Sequence, residues 1–395
     1  MTGYNISNIL TALSSEHVNC SFLYTADLSQ FNITNDSSIP SEESKTLEIM
    51  EYVLYSIIIP TVCILGFFGN ILNVVVFTKK KTCKALDEME YCTTICLVAL
   101  AISDLMFCVC TFPNAFLPHR NHYHPYEFML YYQMYNTFII STFILSSTLL
   151  TVLTAIMRYV AICHPFHSHQ LFSMRKTIIM IIVLAIFSFL FNVPYILKYW
   201  VEKPECIDKE EYVGYVQLRY SDLFMDDKFV YVYKLLWAII GNFIPLSILL
   251  YCNICLIRAL HKSQMLRLLH SRDNTGCVSA HKRINVTLIA IILLFFILVA
   301  PSEITKFIFY ISNEQYLAIY TYRMATMVTN TLQTINFSVN FVLYYIIIAP
   351  FRNTLHEFIC SLRNARHSTQ ESSNTRKQKK TILHLTHKKS NRDWM

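Results

Sequence analysis

Apolar residues along this chain are gathered into seven long runs separated by short polar stretches. The runs cover residues 52–78, 93–117, 129–157, 176–197, 229–257, 284–310 and 323–348. Each run is long enough to cross a hydrocarbon layer about 30 Å thick as a helix that rises about 1.5 Å per residue. None shows the alternation typical of a membrane β-strand. The pattern therefore predicts an all-α membrane protein, a bundle of seven transmembrane helices.

The charged residues indicate that this bundle lies in a membrane and how it is oriented there. Only 15% of residues are charged and 54% are hydrophobic, whereas soluble domains are about 25% charged. In the seven-helix topology, 23 of the 33 Lys and Arg residues fall on one side, and the positive-inside rule makes that side cytoplasmic and the N-terminus extracellular. The net charge of +7 then reflects topology and attraction to anionic lipid, and nothing calls for nucleic acid.

The first 51 residues fit an extracellular, glycosylated segment. They hold one Lys, no Arg and four Asn-X-Ser/Thr sequons, at Asn5, Asn19, Asn32 and Asn35. No basic and apolar leader precedes them, so we expect the first run to act as an uncleaved signal. The domain prediction is then an N-terminal segment at 1–51, a transmembrane domain at 52–348, an amphipathic helix at 349–361 and a disordered tail at 362–395.

Four polar side chains fall near the middle of predicted spans: Asn70, Asp104, Asn336 and Asn340. For the asparagines, hydrogen bonds that simply join helices explain the pattern as well as function does. Asp104 is different, because a carboxylate inside the bilayer needs a cation, a proton or donors from several helices. Asp104 is therefore the first candidate functional residue.

An ordered set of motifs contains these residues. The set comprises Gly-Asn at 69–70, Leu-Ala-Ile-Ser-Asp ending at Asp104, Met-Arg-Tyr at 157–159, Pro245, Pro301 and Asn-Phe-Val-Leu-Tyr at 340–344. In this order and in these runs, the motifs resemble those of the rhodopsin-like (class A) G-protein-coupled receptors across residues 52–360. The sequence FRNTLHEFIC at 351–360 resembles the short amphipathic eighth helix of that family, with Cys360 as a candidate palmitoylation site.

The resemblance implies functions for particular residues. Arg158 and Tyr159 are expected at the contact with a heterotrimeric G protein, and Tyr344 and Asn340 in the activation switch of the seventh helix. Asp104 resembles a sodium-binding carboxylate, with Ser147 and Asn340 as its neighbours. The expected function is signal transduction by a shift between two packings. Serine and threonine residues at 368, 369, 372, 373 and 375 offer a platform for receptor kinases and arrestin.

Several positions depart from the family pattern. The acid that usually precedes the arginine is replaced by Met157, the proline of the seventh-helix motif by Phe341, and the Cys-Trp pair of the sixth helix by Leu298 and Val299. In relatives the acid restrains the arginine, so its loss predicts ligand-free signalling, unless another group substitutes. The predicted inner end of the sixth helix offers no acid for that purpose: it carries His281, Lys282, Arg283, Asn285 and Thr287.

The family's disulfide is also altered. It joins the third helix to the second outer loop, where this chain has Cys206, but the third-helix position is Gln133. That bridge cannot form. Two alternatives remain, a bond between Cys206 and Cys20 or a free Cys206, and cell-surface proteins usually avoid the second.

Three features of other receptors are absent from this chain, and their absence limits the kinds of ligand that it could bind. Receptors for amines carry an aspartate where this chain has Ile140, opsins carry a lysine where it has Thr334, and about fifty residues before the first run are too few for a large hormone-binding ectodomain. A peptide or a small non-amine ligand remains. The candidate ligand-binding residues at the predicted outer ends are Tyr132, Gln133, Asn136, Glu303, Phe307 and Tyr310.

The same residues also fit purely structural roles. An interfacial aromatic belt accounts for any single tyrosine, and Glu303 could instead pair with Lys306 one turn on. The sequences YYQMYNTF and FIPLSILLYCNICLI are most similar to invertebrate FMRFamide-receptor-like neuropeptide receptors. That likeness implies an Arg-Phe-amide ligand, with its guanidinium on Glu303 and its phenyl ring near Tyr132, Tyr135 and Phe307.

Transporters and enzymes are the rival classes. A transporter could also use Asp104 and Glu303, but the chain shows no inverted repeat and no matching pair of broken spans. His119, His122 and His124 could bind zinc, although a solvated loop is the simpler interpretation. No constellation of nucleophile and base is present. The sequence therefore predicts a plasma-membrane receptor without enzymatic activity, metal site or cofactor, apart from an allosteric sodium ion.

Overall fold

The structure is a computed structural model, and it describes residues 41–79, 88–116, 122–123, 128–202, 207–208, 211–212, 216–269, 297–301, 304, 317–347, 351–361 and 363. Within these ranges, five helices are long and apolar enough to cross a membrane: Lys45–Thr78, Glu88–Asn114, Phe128–Cys163, Met174–Leu197 and Asp227–Ala259. We call them the first to fifth spans.

The seventh span is the helix Leu317–Ile347. A shorter helix, Phe351–Ser361, follows it, and the axes of Arg323–Ile346 and Phe351–Ser361 differ by 92°. Taken as one bent unit, this pair would be a sixth candidate crossing of the membrane. The predicted sixth run is described only at 297–301 and 304. Six of the seven predicted runs therefore coincide with long helices.

The first helix begins before the apolar run that predicts it, in the part of the chain that lies outside the apolar layer. The first helix begins at Ser41 and continues through a π-helical segment, Tyr52–Ile58, into Ile59–Thr78. The hydropathy pattern assigns its polar start to the N-terminal segment, because hydropathy registers only the part inside the bilayer. Leu47 nevertheless packs with Leu54 and with Met327 of the seventh span. A salt bridge from Glu51 to Arg323 at 3.7 Å supports the same contact.

Short elements connect the spans. The second span ends in a 3₁₀ turn, Phe112–Phe116, and the fourth in another, Val193–Leu197. A seven-residue helix, Pro165–Leu171, links the third and fourth spans, with Pro165 in its first turn, where a missing N–H is harmless. The helix Asp222–Met225 precedes the fifth span, which contains Asp227–Leu236, a π-helical segment Trp237–Phe243, and the start of Ile244–Leu269.

A small antiparallel sheet lies at one end of the bundle. Its strands are β1 (His122–Tyr123), β2 (Tyr199–Glu202) and β5 (Val216–Tyr220), in the order β1-β5-β2. The strands β3 (Ile207–Asp208) and β4 (Glu211–Tyr212) form a separate pair. Val216 and Leu218 pack with Leu130, which fixes the sheet against the start of the third span. We call this the sheet end of the bundle, and the opposite end, near Arg158, the arginine end.

Candidate functional site

Asp104 lies inside the bundle and is completely shielded from solvent. Its Oδ1 accepts a hydrogen bond from the Ser147 hydroxyl at 2.6 Å, and its Oδ2 accepts one from the Asn340 amide at 2.8 Å. The second, third and seventh spans therefore meet at this carboxylate. The structure thus brings together the three residues of the predicted sodium site.

The oxygens of this cluster fit a small cation. An ionised carboxylate can accept about four hydrogen bonds, and two donors leave part of that capacity for a metal ion. Carboxylate and hydroxyl oxygens are the hard ligands that such cations prefer. Asp104 and Ser147 would hold the ion, whose charge would offset the cost of burying the carboxylate. Sodium binding itself remains a prediction.

The buried asparagine of the first span has a structural role. The Asn70 amide donates to the Phe337 carbonyl of the seventh span at 2.9 Å, and its Oδ1 accepts from Asn73 at 3.2 Å. Asn70 therefore joins two helices. Asn336 is buried in the same part of the bundle.

Arg158 is buried at the other end of the third span, with 8% of its surface exposed. Its Nε has no hydrogen-bond acceptor among the described residues. Met157 beside it is fully buried in an apolar cluster with Cys92 and Cys96 of the second span, and the Cys96 Sγ lies 3.5 Å from the Met157 Sδ. The position that the family resemblance assigns to an acid is an apolar packing site in this chain.

An acid that could substitute near Arg158 lies on the second span, a place that the sequence analysis did not consider. The carboxylate of Glu90 lies within electrostatic range of the Arg158 guanidinium. Glu90 lies in the first turn of the second span, whereas the family pattern points only to the neighbouring position and to the sixth helix. The relative rotation of the second and third spans determines how near the two residues lie, and no sequence motif indicates it.

Two tyrosines were predicted to act in signalling, Tyr344 in the activation switch and Tyr159 at the G-protein contact, and they are in different settings. Tyr344 is almost fully buried, with its ring 5.1 Å from the ring of Phe77 and 5.9 Å from that of Phe351. It therefore packs the seventh span against the first and against the helix that follows. Tyr159 is half-buried, and its hydroxyl lies 3.2 Å from the His164 Nε2 and 3.5 Å from the Tyr251 hydroxyl.

A polar network occupies the start of the third span, at the sheet end. The Asn136 amide donates to the Gln133 Oε1 at 3.2 Å and to the Asn114 Oδ1 at 3.3 Å. The Thr137 hydroxyl donates to the Asn136 Oδ1 at 3.1 Å. Tyr132 instead donates its hydroxyl to the Cys110 carbonyl at 2.5 Å, so its polar group joins the second and third spans.

The sequence did not single out Lys198, which completes this network. Its ammonium donates to the Thr137 hydroxyl at 3.3 Å and lies 4.7 Å from the ring centre of Tyr199 and 5.9 Å from that of Tyr220. Burial lowers the pKa of Lys198. Its position depends on the turn after the fourth span and on the pairing of Tyr199 with Tyr220 between β2 and β5, which only the fold reveals.

Several predicted sites lie outside the described residues. They are the four sequons at Asn5, Asn19, Asn32 and Asn35, the cysteines Cys20 and Cys206, the ligand candidates Glu303, Phe307 and Tyr310, the side chains of His119, His122 and His124, and the tail from 364. Cys360 is described, and it is exposed with a free thiol. Its Sγ lies 3.5 Å from the His356 Nδ1.

Comparisons with known proteins agree with this architecture. Residues 69–344 match the family described as 7 transmembrane receptor (rhodopsin family). The chain is 24% identical over 359 residues to the Sex peptide receptor of Drosophila melanogaster, covering 84% of this chain and 76% of that receptor. It is 24% identical over 313 residues to the FMRFamide receptor of the same organism, covering 77% of this chain and 53% of the receptor.

A nematode relative matches a shorter stretch. The chain is 29% identical over 167 residues to the Neuromedin U receptor homolog nmur-2 of Caenorhabditis elegans, covering 38% of this chain and 40% of that protein. Proteins of the matched family are receptors and not enzymes, in agreement with the prediction of a bundle of helices without catalytic machinery. This chain belongs to the rhodopsin family of seven-transmembrane receptors, the G-protein-coupled receptors.

Proposed function

We propose that the protein is a neuropeptide receptor that promotes nucleotide exchange on a heterotrimeric G protein. Two relatives are named for peptides, FMRFamide and sex peptide, and a third for neuromedin U. These names favour a peptide over a small non-amine ligand. An Arg-Phe-amide peptide is the ligand that the likeness to the FMRFamide receptor supports most directly.

One observation carries the proposal. The third span holds the polar network of Gln133, Asn136 and Thr137 at the sheet end and the buried Arg158 near its opposite end. Between them, Ser147 of the same helix binds Asp104. A ligand that changes the network can therefore shift the equilibrium between packings at the arginine end through a single rigid element.

This proposal places the sheet end outside the cell and the arginine end in the cytoplasm of a plasma-membrane receptor. The charge distribution supports the orientation, because the basic segments flank the arginine end and the sequons precede the first span. Phe166 lies in the helix Pro165–Leu171 at that end and is 90% exposed. It offers an apolar contact for the G protein. Receptor kinases, arrestin and anionic lipid are further proposed partners of the basic, Ser-rich tail.

A peptide screen tests the function. The receptor would be expressed with a promiscuous G protein and exposed to a panel that includes Arg-Phe-amide peptides. We expect Glu303→Gln to raise the half-maximal peptide concentration by about tenfold or more, since a hydrogen bond to a charged group contributes about 1.5 to 3 kcal/mol. Glu202→Gln is a matched control at the sheet end, because Glu202 already pairs with Arg219 of β5. An unchanged response in Glu303→Gln would remove the proposed pairing with the peptide.

A sodium titration tests the cluster around Asp104. The thermal midpoint of the purified receptor should rise with sodium chloride at constant ionic strength, because an ion that binds only the folded state stabilises it as RT ln(1 + [Na⁺]/Kd). Asp104→Asn should abolish this dependence, since it removes the charge that attracts the ion. Ser103→Ala is the control: Ser103 neighbours Asp104, but its hydroxyl donates to the Phe143 carbonyl at 3.2 Å. A sodium-dependent midpoint in Asp104→Asn would contradict the assignment.

A further inference from the structure

The helix that carries Arg158, Phe128–Cys163, has no acidic residue that could balance its charge. The residue is 8% exposed, and burying a cation is expensive unless an opposite charge compensates it. Met157 cannot compensate, since it lies among apolar side chains. The Nε of Arg158 also has no hydrogen-bond acceptor among the described residues. A stabilising acid must therefore come from a neighbouring helix.

The second span brings an acid to this position. Met89, Cys92 and Cys96 of that span pack with Met157, so the first turn of the second span lies beside the last turns of the third. Glu90 belongs to this turn. It is half-buried, and one of its carboxylate oxygens is shielded from solvent. It lies within electrostatic range of the Arg158 guanidinium.

We propose that Glu90 of the second span is the acid that holds Arg158 in its buried position, in place of the acid that Met157 has replaced. Glu90 is thus a positioning residue, acting on the G protein only through Arg158. The positive end of the helix dipole and the guanidinium both attract a carboxylate at this location. Loss of this charge frees Arg158 to leave the bundle without ligand. The effect on signalling rests on the proposed function, whereas the pairing itself does not.

The pairing is tested by a double-mutant cycle on thermal stability in lipid nanodiscs. Glu90→Gln and Arg158→Gln should each lower the thermal midpoint, because each leaves a buried charge without its partner. The double variant should be destabilised by less than the sum of the two, since it leaves no charge unpaired. Additive shifts would overturn the proposal.

Ligand-free nucleotide exchange tests the restraint. Exchange on a panel of purified heterotrimeric G proteins should rise at least about fivefold in Glu90→Gln, the lower end of typical coupling effects. Glu90→Asp should stay close to wild type because it keeps the charge. Glu88→Gln is the matched control, since Glu88 shares the first turn and the helix dipole but is exposed. Equal exchange in Glu90→Gln and wild type would overturn the proposed restraint.

The two measurements separate failure of this proposal from failure of the proposed function. If wild type and all variants promote no exchange on any G protein, even with the peptide panel, the proposed function is wrong. The stability cycle still decides whether Glu90 and Arg158 are coupled, because it requires no G protein. Coupled stability with unchanged exchange would leave a purely structural pair and overturn the restraint.

Discussion

Replacing Met157 by aspartate should destabilise the folded receptor by about 3 kcal/mol, the low end of the cost of an uncompensated buried charge, because Arg158 would compensate part of the new charge. Met157 has no exposed surface and is surrounded by Met89, Cys92, Cys96, Leu153, Val160 and Phe172. The sulfur atoms of Cys96 and Met157 are 3.5 Å apart. A carboxylate at this position would lose its hydration among these apolar side chains, and attraction to the Arg158 guanidinium would offset only part of that cost.

The same substitution should also lower ligand-free signalling per folded receptor. The family resemblance implies that an acid at this position restrains Arg158, and a second acid would add to the effect of Glu90. The two effects are separated by normalising nucleotide exchange to the amount of folded receptor in the membrane. Met157→Leu is the matched control, because volume-conserving apolar replacements usually cost less than about 1.5 kcal/mol.

Two results would contradict these expectations. If Met157→Asp unfolds at the wild-type temperature, the apolar cluster around Met157 is not as the structure describes it. If exchange per folded receptor is equal in Met157→Asp and wild type, an acid next to Arg158 has no restraining effect in this chain. The measurements are the thermal midpoint and the exchange rate on the same nanodisc samples.

Hydropathy predicts the bundle well because the bilayer permits few alternatives. Long apolar runs must be helical there, so the positions of the spans follow from composition alone. Asp104 stands out for the same reason, since a lone carboxylate in an apolar run needs a partner. The predicted neighbours Ser147 and Asn340 are both bonded to it. Only the family resemblance indicates these two partners, because spacing within one helix does not define contacts between helices.

Contacts between helices account for most of what the sequence did not reveal. The proposed pairing of Glu90 with Arg158 depends on the relative height and rotation of the second and third spans. Lys198 reaches the third span only because a 3₁₀ turn ends the fourth span and β2 follows it. The first segment of the first helix, Ser41–Glu51, is too polar for a hydropathy search, yet Leu47 packs against the seventh span. In each case the determining factor is the docking of elements that are distant in sequence.

Gly66→Val in the first span should destabilise the folded receptor by about 3 kcal/mol. A Cβ at Gly66 would overlap the Ser338 hydroxyl and would lie 2.7 Å from the Cys108 Sγ and 2.9 Å from the Ser338 Cβ. The first, second and seventh spans approach closely at this point, as small residues in membrane helices permit. Two branched methyl groups cannot fit there unless a helix moves.

A compensating variant identifies the cause of the loss. Ser338→Gly removes two of the three overlapping atoms, so Gly66→Val with Ser338→Gly should recover part of the thermal midpoint lost in Gly66→Val alone. Gly69→Ala is a milder control, because the nearest atom to its Cβ would be the Phe341 Cβ at 3.0 Å. Equal losses in the presence and absence of Ser338→Gly would show that the contact with the seventh span is not the cause.

Displacement of the seventh span should also be visible at Asp104. Ser338 and Asn340 lie on the same helix, and the Asn340 amide holds the Asp104 carboxylate at 2.8 Å. If Gly66→Val pushes this helix outward, the sodium-dependent rise of the thermal midpoint should shrink as the cluster opens. Gly69→Ala should retain more of that rise. A full sodium response in Gly66→Val would mean that the bundle absorbs the extra volume on its lipid-facing side, with the first span moving and the seventh staying in place.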